Sequence, residues 1–215
     1  MPRTTGEARI VVFAKAPHPG TVKTRLIPLL GEDGAAALHA RFVTRTLSTA
    51  RAAAIGTVDL FCAPGVDDAF LRFCGARYCV RLENQSGGNL GTRMLNAFER
   101  ALASAGLVIL IGTDCPALTA EHLREARRRL AAGADAVFAP TEDGGYALIG
   151  LRRCDARLFD GVAWETPSVM AETRARLRTV GWHWEELEEL WDVDRPEDYQ
   201  RLLASGLMTE NTISP

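Results

Sequence analysis

The stretch Leu107-Val108-Ile109-Leu110-Ile111-Gly112-Thr113-Asp114-Cys115-Pro116 runs five large aliphatic residues straight into a turn that carries one carboxylate. Aliphatic residues in series, with no polar alternation, predict a strand buried on both faces, as in a parallel sheet covered by helices. In open sheets of that kind ligands collect beyond the carboxyl ends of the strands, which makes Asp114 the first candidate for chemistry. The competing role for Asp114 is a helix cap. Thr119, with Glu121 and His122 in the following turn, is better placed to open the next helix.

Outward from that strand, short apolar runs alternate with longer amphipathic ones, the pattern of strands joined by crossover helices. Strands are predicted over 9–14, 57–63, 78–82, 108–112, 134–139 and 146–151, and helices over 34–53, 67–73, 90–105, 119–132, 168–180 and 196–204. In the first helix Leu38, Phe42, Val43, Leu47 and Ala50 recur at helical spacing and give one apolar face. Pro196 suits a first helical turn, where its missing N–H costs nothing. The expected architecture is a single α/β domain over 9–207: a doubly wound, mostly parallel, Rossmann-like sheet with helices on both faces. Residues 1–8 and 208–215 are expected to be flexible.

A chain of 215 residues that is 47% hydrophobic can bury one substantial core. Its formal charge of -2 provides no global field toward nucleic acid or an anionic membrane, so any bound anion must be gripped locally. The five cysteines include no C-x-x-C pair, which argues against a disulfide framework and against zinc. The four histidines show no paired spacing, and His39 and His122 read as helix-surface residues. Neither a signal peptide nor a membrane span is discernible, and the expected location is cytoplasmic.

Four loops carry site-like chemistry. The first strand ends in a loop from Lys15 through Pro17, Pro19 and Gly20 to Lys23-Thr24-Arg25-Leu26, stiff and cationic without being a Walker loop. Arg25 offers a forked contact to phosphate oxygens and Lys23 a compact charge. The segment Gln85-Ser86-Gly87-Gly88-Asn89-Leu90-Gly91-Thr92 lets main chain approach a planar ligand, with Gln85 available to a base edge; Asn89 also reads as a plain helix cap. Glu142-Asp143-Gly144-Gly145 is a second acidic turn, which an ordinary hairpin connector would also explain. Finally, Asp192-Val193-Asp194 precedes Pro196-Glu197-Asp198. In an extended segment Asp192 and Asp194 point opposite ways, so only one can join Asp114. Two carboxylates plus phosphate oxygens are the usual way to hold magnesium.

With these loops in order, the chain resembles the nucleotide-diphosphate-sugar transferases of the glycosyltransferase-A fold, and more narrowly the bacterial domain family 2064, some members of which are labelled arsenosugar-biosynthesis glycosyltransferases. The resemblance rests on Ala14-Lys15-Ala16-Pro17, Val22-Lys23-Thr24-Arg25-Leu26, Leu90-Gly91 with Arg93-Met94, Gly112-Thr113-Asp114-Cys115-Pro116, Asp143-Gly144-Gly145-Tyr146 and Asp192-Val193-Asp194 before Pro196-Glu197-Asp198. It implies a nucleotide held by Lys15, Lys23, Arg25, Gln85, Gly91 and Thr92, and magnesium or manganese held by Asp114 and Asp194. Two departures stand out: Asn89 where the family commonly has Asp, and Trp164-Glu165-Thr166 where it commonly has Trp-Ser-Thr. Lys23-Thr24-Arg25-Leu26 also resembles the guanylyltransferases that build phospholactate-type cofactor precursors.

The expected activity is transfer of a sugar from a nucleotide-diphosphate sugar to a small acceptor, with Asp143 contacting the acceptor hydroxyl as general base. The alternatives are nucleotidyl transfer from a nucleoside triphosphate with release of pyrophosphate, and a non-catalytic nucleotide-binding module. Trp164, Trp182, Trp184 and Trp191 read either as an acceptor platform or as packing, and the Trp182 to Trp191 region is where a homodimer interface would be sought.

Overall fold

Along the first strand, Ile10 and Val12 serve one apolar cluster and Val11 and Phe13 the other, and all four are buried, so the strand requires a helical layer on each side. The computed structural model, which describes residues 8–208, supplies both. In chain order the elements are β1 (Ala8–Lys15), α1 (Ile27–Ala53), β2 (Gly56–Ala63), α2 (Ala69–Tyr78), β3 (Arg81–Asn84), α3 (Leu90–Leu102), β4 (Leu107–Ile111), α4 (Ala120–Ala132), β5 (Ala136–Pro140), β6 (Tyr146–Leu151), α5 (Val169–Val180), β7 (Trp184–Glu186) and α6 (Pro196–Ser205). They build a seven-stranded sheet in the order β3-β2-β1-β4-β6-β5-β7, parallel except at β6, which runs antiparallel to β4 and β5.

The layers follow from side-chain parity. Ile109 and Ile111 of β4 face α1, α2 and α4 through Val43, Leu47, Leu71, Leu123 and Leu130, whereas Val108 and Leu110 face α3 and α5 through Met94, Phe98, Met170 and Leu177. Each such fully buried side chain contributes about 1.5–3 kcal/mol of transfer free energy. A smaller cluster of Leu26, Leu38, Phe42, Val193 and Leu202 ties α1 and α6 together beneath the segment that follows β7. The chain winds outward from β1 through β2 to β3 and then returns to place β4 on the other side of β1. The reversal makes a topological switch point at the carboxyl ends of β1 and β4, the place where such sheets bind ligands.

Several expected boundaries move. The third strand is 81–84 rather than 78–82, because α2 continues to Tyr78 and Cys79 caps it in the left-handed region at φ 51. The first helix begins at Ile27, seven residues early, with a break at Gly31, whose φ of 71 glycine adopts without strain. β7 is not among the six strands predicted from the sequence. Thr119 caps α4 by accepting from the His122 N–H, and Pro196 opens α6, as read from the sequence. Ala8 already belongs to β1; the remaining segments expected to be flexible, 1–7 and 209–215, lie outside the described residues. No described helix is long and apolar enough to cross a membrane.

Candidate functional site

The loop after β1 turns at Lys23, which takes the left-handed conformation at φ 48, rare for a residue with a side chain, and leads into a single 3-10 turn over Thr24–Leu26. This geometry drives the lysine inward. Its side chain is 3% exposed, and its ammonium donates to Asp114 Oδ1 at 2.8 Å and to the Val193 carbonyl at 2.7 Å, with the Phe42 ring centroid 5.6 Å away. A buried ammonium persists only when paired, and here the partners come from the loop after β4 and from the segment after β7. That segment is stitched down by main chain. Leu190 N–H donates to Pro140 O, Glu142 N–H to Leu190 O and Val193 N–H to Asp114 O, while the Cys115 thiol donates to Trp191 O. Burial pushes the Cys115 thiol up to about 11, so it stays protonated and structural.

Asp114 is half-exposed, at 53%. Partial burial pushes its pKa upward, but the Lys23 charge, then His39 and the Lys23 hydrogen bond, overcome this, and the carboxyl lies below its ordinary value. Asp192 behaves oppositely. Burial first, then the neighbouring Asp143, and to a smaller degree Asp114, raise it to about 6, against its own main-chain N–H and Lys23. Asp192 is thus within electrostatic reach of Asp143 and, more weakly, of Asp114. Asp143 is fixed through Oδ1, which accepts from Thr141 Oγ1 at 2.5 Å and from the Gly145 N–H at 3.0 Å.

Asp194 takes a different partner, the Arg25 guanidinium, and its main-chain N–H donates to Asp198 Oδ2 at 3.1 Å. The fold thus brings together Lys23, Asp114, Asp143 and Asp192, with Arg25 and Asp194 as a second, more exposed pair. Lys15 is exposed at the end of β1, close enough to help lower the Asp114 pKa. Gln85 spends its amide on structure: Nε2 donates to Ala14 O and Phe61 O, and Oε1 accepts from Arg93. Thr92 donates from N and Oγ1 to the capping Asn89 Oδ1. Gly91 is buried under Trp164, and a Cβ there would lie 2.4 Å from the indole Nε1. Trp182 is buried in the core beneath the Arg153 guanidinium, which removes it from any open platform or interface.

His39 is a correction to the sequence reading. Far from lying on the helix surface, its side chain is 6% exposed; Nε2 lies 3.1 Å from Lys15 O and Nδ1 is 3.9 Å from Asp114 Oδ1. Burial lowers its pKa most, against the pull of Asp114, so the ring is neutral at pH 7. The signal was present: His39 stands three and four residues before Phe42 and Val43, on the buried stripe of α1. Between Asp192 and Asp194, by contrast, the alternation says only that they diverge, and the family resemblance points to Asp194.

A divalent cation is compatible with this donor set. Among the described residues no group of three or more His, Cys, Asp and Glu is placed to cage an ion. Magnesium and manganese do not need a cage where one or two carboxylates and substrate phosphates complete the shell, and the mutual repulsion of Asp192, Asp143 and Asp114 is what a cation relieves. The Lys23 ammonium supplies positive charge at the same point.

An open α/β sheet with a cationic loop and three acidic loops at its switch point belongs to the class of nucleotidyltransferase and glycosyltransferase-A-like folds. The family described as an uncharacterized protein conserved in bacteria, DUF2064, matches residues 46–166, and the chain belongs to that family. A structure of a candidate nucleotide-diphospho-sugar transferase from Desulfovibrio desulfuricans G20 is 31% identical over 95% of this chain and 90% of its own, with a TM-score of 0.86. Rv0371c from Mycobacterium tuberculosis H37Rv, solved with manganese, is 20% identical over 94% of this chain and 100% of its own, with a TM-score of 0.59. A CMP:2-keto-3-deoxy-manno-octonic acid synthetase complexed with CTP is 12% identical over 93% and 98%, with a TM-score of 0.60. The last two likenesses show the fold alone. No curated protein matches the sequence at a significant level.

Proposed function

We propose that the protein is a divalent-cation-dependent transferase that moves a sugar from a nucleotide-diphosphate donor to a small acceptor. The observation that carries this reading is the convergence of Lys23, Asp114, Asp192 and Asp143 beyond the carboxyl ends of β1 and β4. Asp114 and Asp192 hold the cation in this reading, and Asp192 is preferred to Asp194 because its charge is opposed by Asp143 and Asp114, a repulsion that a cation relieves. Magnesium or manganese, when bound, supplies charge stabilisation for the departing diphosphate. Lys23 keeps Asp114 ionised and aimed. Arg25, exposed and forked, exchanges its carboxylate partner for phosphate oxygens, and Lys15, exposed at the end of β1, adds a second cation. Main chain near Gln85 and Thr92 borders the nucleoside. Asp143, oriented through one oxygen, takes the proton from the acceptor hydroxyl.

Nucleotidyl transfer is the second reading, favoured by two exposed cations, Lys15 at the end of β1 and Arg25 on the loop that follows, which suit a triphosphate. One assay separates the two. The purified protein is incubated with nucleotide sugars and with nucleoside triphosphates, with magnesium, manganese or neither. Sugar transfer releases nucleoside diphosphate or monophosphate, and nucleotidyl transfer releases pyrophosphate. Cation-dependent turnover that falls about 100-fold or more in Asp114→Asn supports the site; turnover indifferent to both cation and Asp114 removes it.

A further inference from the structure

His39 presents a buried acceptor with nothing to accept. A main-chain carbonyl can only accept, so the contact to Lys15 O puts a proton on Nε2, and in the neutral ring Nδ1 then carries a lone pair. That Nδ1 has no hydrogen-bond partner among the described residues, and the atom facing it, Asp114 Oδ1 at 3.9 Å, is another acceptor. The Lys23 ammonium has three donors, but the bonds it makes run to Asp114 and to Val193 O and none reaches Nδ1. An orphaned buried nitrogen costs about 1–3 kcal/mol, which a bridging donor would recover. A water about 2.8 Å from both acceptors subtends roughly a right angle between them, near its own bond angle.

We propose that His39 is a positioning residue of this site: its Nδ1 and Asp114 Oδ1 share one O–H donor, a water in the outer shell of the bound divalent cation, and the imidazole thereby fixes the direction in which Asp114 presents its carboxylate. This rests on the reading that Asp114 belongs to the cation site. Outer-shell partners of this kind set the orientation of a ligand, and their loss typically weakens metal binding about 10–100-fold. Lys15 O ties the ring to the end of β1 and Phe42 on the same helix packs beneath Lys23, so the imidazole has little freedom to turn away.

The test compares two variants that separate the two ring nitrogens. The amide oxygen of Asn reaches the place of Nδ1, whereas the amide nitrogen of Gln reaches that of Nε2. Mn2+ alone is titrated by electron paramagnetic resonance into wild type, His39→Asn, His39→Gln and Asp114→Asn, each checked for folding by circular dichroism. The expected result is that His39→Asn binds Mn2+ within about 3-fold of wild type and His39→Gln about 10-fold or more weakly. If His39→Gln binds like wild type, or if both variants weaken alike, while Asp114→Asn loses the ion, the positioning role is overturned and the cation site stands. If Asp114→Asn binds like wild type, or wild type does not bind, both fall. A measurement on wild type needs no variant: nitrogen–proton correlation spectra of the imidazole should show the proton on Nε2, and a proton on Nδ1 overturns the inference.

Discussion

The Lys23 ammonium lies 2.8 Å from Asp114 Oδ1, and the two partners are unequally placed, one side chain 3% exposed and the other 53%. Removing either one therefore has a different consequence. In Lys23→Met, Asp114 can hydrate, and the loss is chiefly the bond to Val193 O, about 1–3 kcal/mol. In Asp114→Ala, an ammonium is left in the interior with one carbonyl, a loss of about 3–5 kcal/mol. Urea unfolding of both variants measures this; equal losses, or a larger one for Lys23→Met, would contradict the asymmetry.

The two carboxylates before α6 should also separate. Asp192 faces Asp143 and Asp114, whereas Asp194 faces Arg25. Asp192→Asn should weaken Mn2+ binding and cation-dependent turnover about 10-fold or more, and Asp194→Asn should leave Mn2+ binding within a few-fold while raising the apparent KM for the nucleotide, because Arg25 loses the partner that holds it in place. Equilibrium titration and steady-state kinetics on the pair decide it. The reverse order would restore Asp194 to the cation.

The contrast between these two residues shows where the sequence stops being legible. Five aliphatic residues in series could only be a buried strand, and Leu107–Ile111 is one; Thr119 and Pro196 mark helix starts by local chemistry alone and sit where expected. The alternation at Asp192 and Asp194 says that they diverge, but which one turns inward is decided at a distance, by the main-chain bonds of Leu190 to Pro140 and Glu142 and by the grip of Arg25. β7 has only Trp184, Glu185 and Glu186, too short and too polar to announce a strand. Its existence depends on the edge of β5. His39 was misplaced because a polar residue was set aside from an apolar stripe that its own spacing continued.

The raised pKa of Asp192 makes stability depend on pH in a definite direction. Its folded value of about 6 exceeds the ordinary 3.8, so between these two the folded state binds more protons than the unfolded one. Stability contributed by this group is therefore present below about pH 4 and is lost as pH rises through 6. Asp192→Asn abolishes the loss. Melting temperatures of the variant and wild type, measured from pH 4 to 7, should diverge upward for the variant as pH increases, and parallel curves would mean that Asp192 titrates normally. Millimolar Mn2+ should narrow the divergence at neutral pH by stabilising the ionised carboxylate.

Two glycines at the start of α3, Gly88 just before it and Gly91 in its first turn, should answer the same substitution with opposite signs. At Gly91 an added Cβ would stand 2.4 Å from Trp164 Nε1 and 2.8 Å from the Phe159 carbonyl, so Ala must push α3 away from the segment that carries Trp164-Glu165-Thr166. Overpacking of that kind costs about 1–3 kcal/mol. At Gly88 a Cβ would meet nothing within 4 Å, and the chief effect of Ala is to restrict the unfolded chain, a gain of up to about 1 kcal/mol. The Pro167 carbonyl, in the same segment as Trp164, also packs on Gly144 beside Asp143, so a displaced Trp164 disturbs the acidic turn as well as the glycine loop. Gly91→Ala should thus lower both the melting temperature and the acceptor-dependent kcat, while Gly88→Ala should leave kcat unchanged. A Gly91→Ala protein as stable and as active as wild type would show that Trp164 does not hold the two loops together.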